Sequence, residues 1–520
     1  MQDLPAPSRS GAHARRPSPL VRLPQVSELN LPAATIELTV GRRRLASVYY
    51  KLGRDQSELD FVDVDISGDV PLFIDPAAIR LLPTHWAHEC ISLLQHFFER
   101  VLSAISAGDD AEARRLLAGL GEPNETHLGF STGRARGHGL GPGLADELAS
   151  ALGSSRAVAS GLLVDLEDTV LLVPGVGPDI ISDIVTNLIR APLILYTQSV
   201  ARQYGIPLKR DIDSGPIWDI DTGAWHSRYV HLPVTSTGRL LLVPKVVVRR
   251  QFDFAYEEYF RHYLLPFLAD MELSANTKLV QTLKDGRRRV TAKSLIEKYG
   301  SGKDVVAELT GQHPQILADY REKKREFASA PLRHEDFIDL GRPGPNWDRL
   351  LTDVITIEIG HAGADSYVGA VSRLVEALFA PDLSMPRREV KIHEGRKRVD
   401  LVFVNSARQG FFAWVSQHYP AAHVFIECKN YTGDPANPEL DQLAGRFSPS
   451  RGRVGLLICR TIQDKDTFIR RCRDTAVDDR GWVIPLDDTD LQALVTARRE
   501  KNYQAIWQLL KESRFDRLVL

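Results

Sequence analysis

In residues 367–379 the apolar positions recur at helical spacing: Val368, Val371, Leu374, Val375 and Leu378 fall on one arc, with Glu376 on its flank. The period then changes. Residues 390–393 read as a short strand, 394–397 as a turn, and 399–404 as a second strand of almost continuous apolar character. In residues 423–430 the strand period of two puts Phe425, Glu427 and Lys429 on one face and Val424, Ile426 and Cys428 on the other. Helical spacing returns over 439–447, where Leu440, Leu443 and Phe447 point inward and Gln442 and Arg446 are neighbours at i, i+4. A buried strand at 454–459, the run 481–485 and a helix at 490–510 complete an α/β layer arrangement.

Upstream the pattern is less regular. Strand-like runs at 35–40 and 239–248 mix with helical runs at 89–105 and 180–204, which predicts an N-terminal mixed α/β domain over 29–327, charged and helical in its last part, 269–327. Residues 1–28, rich in Pro, Ser, Ala and Arg, hold too little apolar content to order themselves and are expected to form a flexible tail. Pro331, Pro343, Pro345, Gly341 and Gly344 give 328–346 the composition of a linker, leaving 347–520 as a C-terminal domain.

Composition narrows the function classes. A chain of 520 residues, 43% of them hydrophobic, can bury ordinary cores in two or three domains. Lys and Arg total 65 against 67 Asp and Glu, so any phosphate-binding surface has to be local. Cys90, Cys428, Cys459 and Cys472 show no zinc-type spacing, and so few cysteines suggest a reducing compartment. With no apolar run near the roughly 20 residues that span a bilayer and no signal-type segment, a cytoplasmic protein without a membrane partner is expected.

Asp400 stands inside the apolar run 399–404. A carboxylate there costs several kcal/mol unless it is paired, hydrogen-bonded or metal-bound, so it asks for a chemical reason. A helix bearing Glu376, then Arg398-Val-Asp-Leu-Val-Phe403, then Phe425-Ile-Glu-Cys-Lys-Asn430, then a helix with Gln442 resembles the PD-(D/E)XK, or restriction-endonuclease-like, nucleases, particularly their Mrr-like and resolvase-like branches. The resemblance covers about the last third of the chain. It departs from the pattern in a long insertion, 405–422, that includes Phe411, Phe412, Trp414 and Tyr419.

The resemblance implies an αβββαβ core and a site that binds Mg²⁺, with Mn²⁺ as its substitute. Asp400, Glu427 and the backbone carbonyl of Cys428 would be direct ligands, and Glu376 would act through a water or on a second metal. Lys429 would orient or help deprotonate the attacking water, and Gln442 would position the site. Hard divalent cations with carboxylate ligands neutralise phosphoryl oxygens and supply hydroxide near neutral pH, which is why such residues belong together. Arg396, Lys397 and Arg398, in a basic run with Arg387, Arg388 and Lys391, are candidate nucleic-acid contacts, as is Arg446. The implied function is a DNA endonuclease leaving 5′-phosphate and 3′-hydroxyl ends. By analogy at fold level it would be the effector of a prokaryotic restriction or antiphage defence system, with the N-terminal domain as sensor or partner-binding module. An RNase or repair nuclease with the same metal site, or a non-catalytic nucleic-acid-binding scaffold, are the alternatives the residues leave open.

Other motifs carry less. The glycine-rich run 129–143 lacks the Walker lysine arrangement and reads as a loop, and Gly300-Ser-Gly-Lys303 has Glu297 where a P-loop needs its first glycine. His85 and His88, beside Glu89, are spaced i, i+3 without an HExxH pattern. Asp165, Glu167, Asp168, Asp179 and Asp183 read as a solvated acidic face.

Overall fold

A computed structural model describes residues 44–129, 142–392 and 397–520. The expected tail at 1–28, the strand at 35–40, most of the glycine-rich run, most of the turn at 394–397 and Arg396 lie outside the described residues.

Helix α1 (His85–Ser106) begins where the Thr84 hydroxyl accepts the Ala87 N–H, and it buries Leu94, Phe97, Phe98 and Val101 on one face. The helical run at 180–204 resolves into two helices, α2 (Pro178–Leu188) and α3 (Arg190–Tyr204), bent by 71° at Ile189. Gly205, at φ +73°, ends α3 in the left-handed conformation that glycine adopts without strain. The strand expected over 239–248 is a ladder only at its ends, where Gly238–Arg239 and Val248–Arg249 pair. Between them the buried backbone is satisfied by other parts of the chain: Leu241 N–H donates to Glu125 O, Leu242 N–H to the Thr197 hydroxyl on α3, and Val243 O accepts from Val62 N–H beside an isolated bridge of Phe61 with Pro244. Apolar composition there reflects burial, not sheet pairing. The other strands described in this part are short ladders, such as Lys209–Asp213 with Tyr229–Leu232.

The acidic group at 165–168 corrects the expectation of a solvated face. Glu167 and Asp168 are buried, Glu167 pairs with Arg80 at 2.9 Å, and the Arg321 Nε donates to Asp168 at 2.9 Å. Their partners lie far away in sequence, which composition could not reveal.

Residues 328–346 carry a helix, His334–Asp339, with Leu332 and Phe337 buried, and the His334 imidazole meets Ala377 O at 2.8 Å. Helices α4 (Trp347–Ile355) and α5 (Ala364–Leu378) follow. Then come strands β1 (Leu383–Ile392) and β2 (Lys397–Asn405), helix α6 (Gly410–His418) and strand β3 (His423–Lys429). Helix α7 (Asn437–Ala444), strand β4 (Val454–Cys459), helix α8 (Lys465–Val477), strand β5 (Trp482–Asp487) and helices α9 (Asp488–Arg499) and α10 (Tyr503–Trp507) follow, and α10 runs on through a π-helical stretch, Gln508–Phe515, into a last helical turn, Asp516–Val519. The five strands form one sheet in sequential order, with β1–β2 and β2–β3 antiparallel and β3–β4 and β4–β5 parallel. Half of the insertion 405–422 is α6, whose Phe411 and Phe412 pack into the core.

Among the described residues two large hydrophobic cores are present, one around α1 to α3 and one around the sheet, with a small third cluster of Ile194, Ile217, Leu232 and Leu241. Residues Arg43–Leu520 nonetheless cluster as one unit. A bulge between Ser384 and Arg387 frees Met385 from the β1–β2 ladder. Its N–H donates to Asp60 Oδ1 at 2.7 Å, and its side chain joins the first core. No single helix among the described residues is long and apolar enough to cross a membrane.

Candidate active site

The pairing of β2 with β3 runs from Val404↔His423 to Leu401↔Ile426, and one further step sets Asp400 across from Glu427. Two carboxylates directly opposite on antiparallel strands repel, so this pair needs compensation. Asp400 Oδ2 accepts the Cys428 N–H at 3.0 Å. Glu427 is 2% exposed, and its Oε1 accepts from Lys429 Nζ at 3.0 Å and from the Gln442 amide. Lys429 Nζ also donates to Gln442 Oε1 at 2.8 Å, closing a three-residue ring of contacts. Glu427 Oε2 is buried and accepts no hydrogen bond, and Arg446 Nε lies 3.9 Å from it. Burial first, then the charge of Asp400, pushes the Glu427 carboxyl above the ordinary range, against the pull of Lys429 and Arg446.

The local sequence explains this placement. β3 buries Val424, Ile426 and Cys428 on one face, so Glu427 and Lys429 share the other. The Cys428 thiol lies in the sheet core, where burial and then the Asp400 charge hold its pKa well above the usual thiol value. Proline in the first turn of α7 suits a helix start, and Leu440 and Leu443 fasten the helix to the core, presenting Gln442 to the end of β3.

Asp400, Glu427, Lys429 and Gln442 are thus brought together. Among the described residues no third His, Cys, Asp or Glu joins the two acids in a group fit to hold a metal ion. Glu376 takes other partners: its Oε1 accepts from the Ser372 hydroxyl at 2.8 Å, its Oε2 from the Tyr204 hydroxyl at 3.1 Å, and Arg54 Nη1 lies 3.9 Å from Oε2. Its carboxylate therefore belongs to a buried network with α3, not to the contacts around Glu427. Arg446 is also buried, donating from Nε to Arg398 O at 2.6 Å and from its guanidinium to Gln442 O, so it braces β2 against α7. Arg398 is exposed, 3.7 Å from Glu389, and Lys397 opens β2.

Sequence reasoning passed over Asn430. Its Nδ2 donates to Glu358 O and Gly360 O, both at 2.9 Å, and its own carbonyl accepts the Gly360 N–H, tying the end of β3 to the loop before α5. Its place directly after Lys429 was the available signal. It also missed Asp60, Lys245 and Tyr204, which surround Glu376 from residues remote in sequence.

Residues 51–255 match the model of a domain of unknown function, DUF8370. No curated protein and no solved structure matches the chain.

Proposed function

We propose that the sheet-bearing part of the chain, from residue 347, is a restriction-endonuclease-like nuclease that hydrolyses DNA phosphodiester bonds with Mg²⁺, or Mn²⁺ in its place. The observation that carries the reading is the buried Glu427 Oε2, an acceptor without a hydrogen bond beside a second carboxylate. A carboxylate oxygen left bare in a buried site is costly, and a hard divalent cation is the partner that would satisfy it and offset the repulsion from Asp400. The donor set fits such an ion: Asp400, with only Oδ2 engaged by Cys428 N–H, Glu427 through Oε2, and the Cys428 carbonyl. The element order α5, β1, β2, β3, α7, β4 is also the one the resemblance implies.

When bound, the cation would polarise the phosphoryl group and lower the pKa of a bound water. The chain supplies the rest. Lys429 Nζ, fixed by Glu427 and Gln442, sits where an ammonium can orient the attacking water and stabilise charge developing on the phosphoryl oxygens. Gln442 holds both Glu427 and Lys429, so it positions the site without itself reacting. Arg398 and Lys397 at the start of β2 are the proposed backbone contacts. A role for Glu376 as water-mediated ligand is not part of the proposal.

The closed ring of Lys429, Glu427 and Gln442 favours a second reading, in which the fold is kept as a nucleic-acid-binding scaffold without catalysis. Plasmid, linear DNA and RNA incubated with Mg²⁺, Mn²⁺ or EDTA separate the two. Metal-dependent cleavage of DNA that Asp400→Asn and Lys429→Ala both abolish is the expected result. Cleavage that survives both substitutions removes the assignment, and DNA binding without cleavage by the wild type favours the scaffold.

A further inference from the structure

A cavity of about 280 Å³ opens beside the far end of β2 from Asp400, where Leu383 pairs with Asn405. It lies between the loop after α5, the first turn of α6, and helices α9 and α10. Phe379, Phe411 and Trp507 give it aromatic walls, and Asp382, Arg333 and Arg498 bring charge into it. Its volume lies just below the roughly 300–1,000 Å³ typical of ligand pockets.

The charged groups are held in place yet leave one another unsatisfied. The backbone carbonyl of Asp382 is fixed by the Ser406 N–H at 2.9 Å and the Ser406 hydroxyl at 3.1 Å. Its carboxylate accepts no hydrogen bond and forms no ion pair within 4 Å among the described residues, although burial pushes the carboxyl up to about 6 against the opposing charges of Arg498 and Arg333. Arg498 donates from Nη2 to Ala380 O at 3.2 Å, while its buried Nε has no acceptor. The guanidinium carbons of Arg498 and Arg333 each lie 5.5 Å from the centre of the Tyr503 ring, so stacking rather than Asp382 holds both cations.

Two free carboxylate oxygens match a pair of adjacent N–H donors, Arg333, Arg498 and the Lys501 that pairs with Glu335 outnumber Asp382 and Glu335 by one and leave capacity for one anionic group, and flat aromatic walls suit a planar ring. We infer that this cavity binds a guanine mononucleotide, with the ring N–H and exocyclic amine of the base on Asp382, the base against Phe411 and Trp507, and the phosphate answered by Arg333 and Arg498. Adenine sets an acceptor beside its single exocyclic amine, which would face the carboxylate unfavourably, and hypoxanthine keeps only one of guanine's two donors. This inference concerns a separate cavity and does not rest on the nuclease reading.

Titration calorimetry of the full chain, without divalent cation, with GMP, IMP and AMP tests it. GMP is expected to bind with AMP at least about tenfold weaker and IMP between them, because a site built around a hydrogen-bonding pair rejects ligands that cannot complete it. Asp382→Asn, which replaces one acceptor by a donor, should erase the preference for GMP. Equal affinity for GMP and AMP, or no heat with GMP at millimolar concentration, overturns the assignment. So does a folded Asp382→Asn protein that still prefers GMP. The ranking on the wild type decides the matter even where the variant fails to fold.

Discussion

Replacing Glu376 by glutamine keeps the shape of the side chain and one acceptor oxygen while removing a charge buried with Ser372, Tyr204 and Arg54. In Glu376→Ala the two hydroxyls lose their acceptor and Arg54, only 15% exposed, loses its counter-charge, so a loss of about 3–5 kcal/mol is expected, as for breaking one side of a buried pair. Glu376→Gln also removes the counter-charge of Arg54 but keeps the side chain's shape, an acceptor oxygen and a dipole beside it, so it should cost less, about 1.5–3 kcal/mol. The pH dependence gives the sign. Burial, the largest cause, raises the folded carboxyl above its ordinary value despite Arg54, Ser372 and Lys245. A raised acid contributes its full stability below the unfolded pKa of about 4.3 and loses it as pH rises through the folded value. The urea midpoint of wild type should therefore fall relative to that of Glu376→Gln as pH is raised above the ordinary carboxylate range. Activity is the second readout. A carboxylate bonded into the network with α3 predicts that Glu376→Gln cleaves DNA within a few-fold of wild type. A loss of about two orders of magnitude at an unchanged urea midpoint would place Glu376 in the chemistry and refute this reasoning.

Because a cation held by Asp400 and Glu427 would bind the folded chain and not the unfolded one, a divalent cation at 100 times its Kd should stabilise the chain by about 2.7 kcal/mol. Melting with Mg²⁺ and with EDTA measures this, and a shift that persists in Glu427→Gln would count against the metal site. His334 is buried against Ala377 O, and burial, with Lys245 nearby, pushes its pKa down to about 3. Between that value and about 6.5 the unfolded chain takes up a proton that the folded chain refuses, so stability should fall by about 1.4 kcal/mol per pH unit on acidification. Urea curves of wild type and His334→Gln should diverge over that window, and parallel curves would show that His334 does not titrate as its burial requires. Gly481 sits at φ +104°, where an added Cβ would meet the Phe447 ring at 2.3 Å and Arg453 O at 2.7 Å. Gly481→Ala should cost about 2 kcal/mol or more, read as a lower urea midpoint, and a neutral effect would mean that the turn before β5 relaxes freely.

Most elements around the sheet were readable because each depends on a period within a few residues, although β1 begins at Leu383, ahead of the strand expected over 390–393, and the helix expected over 490–510 breaks after Arg499. The alternation in 423–429 fixes which side chains share a face, so the shared face of Glu427 and Lys429 was available from sequence, as was β4 at Val454–Cys459. The long insertion changed little because its Phe411, Phe412 and Val415 give α6 its own buried face. Spacing failed where the answer depended on a distant partner. Gln442 on α7 and Arg446 just past its end are neighbours at i, i+4, yet one reaches Glu427 and the other is consumed by the Arg398 carbonyl on a different strand.

Glu376 is the sharper case. A helical arc puts it on the flank of α5, and a flank acid can turn toward the sheet or away from it. What decides is the surface on the other side: Glu58, fully buried, draws Arg349 and Arg373, Asp60 takes the N–H that the β1 bulge frees, and the Arg342 Nε donates to Asp63 O at 2.8 Å. Residues 54–63 thus present carboxylates and a carbonyl to the cations and free N–H groups of the C-terminal part, and Arg54 and Tyr204 turn the Glu376 carboxylate the same way. Helix α5 packs against β3 as well, so it is one rigid element with two loaded faces. Its polar residues can be assigned only when both neighbours are known, because an acid near the edge of an apolar arc follows whichever cation desolvates with it.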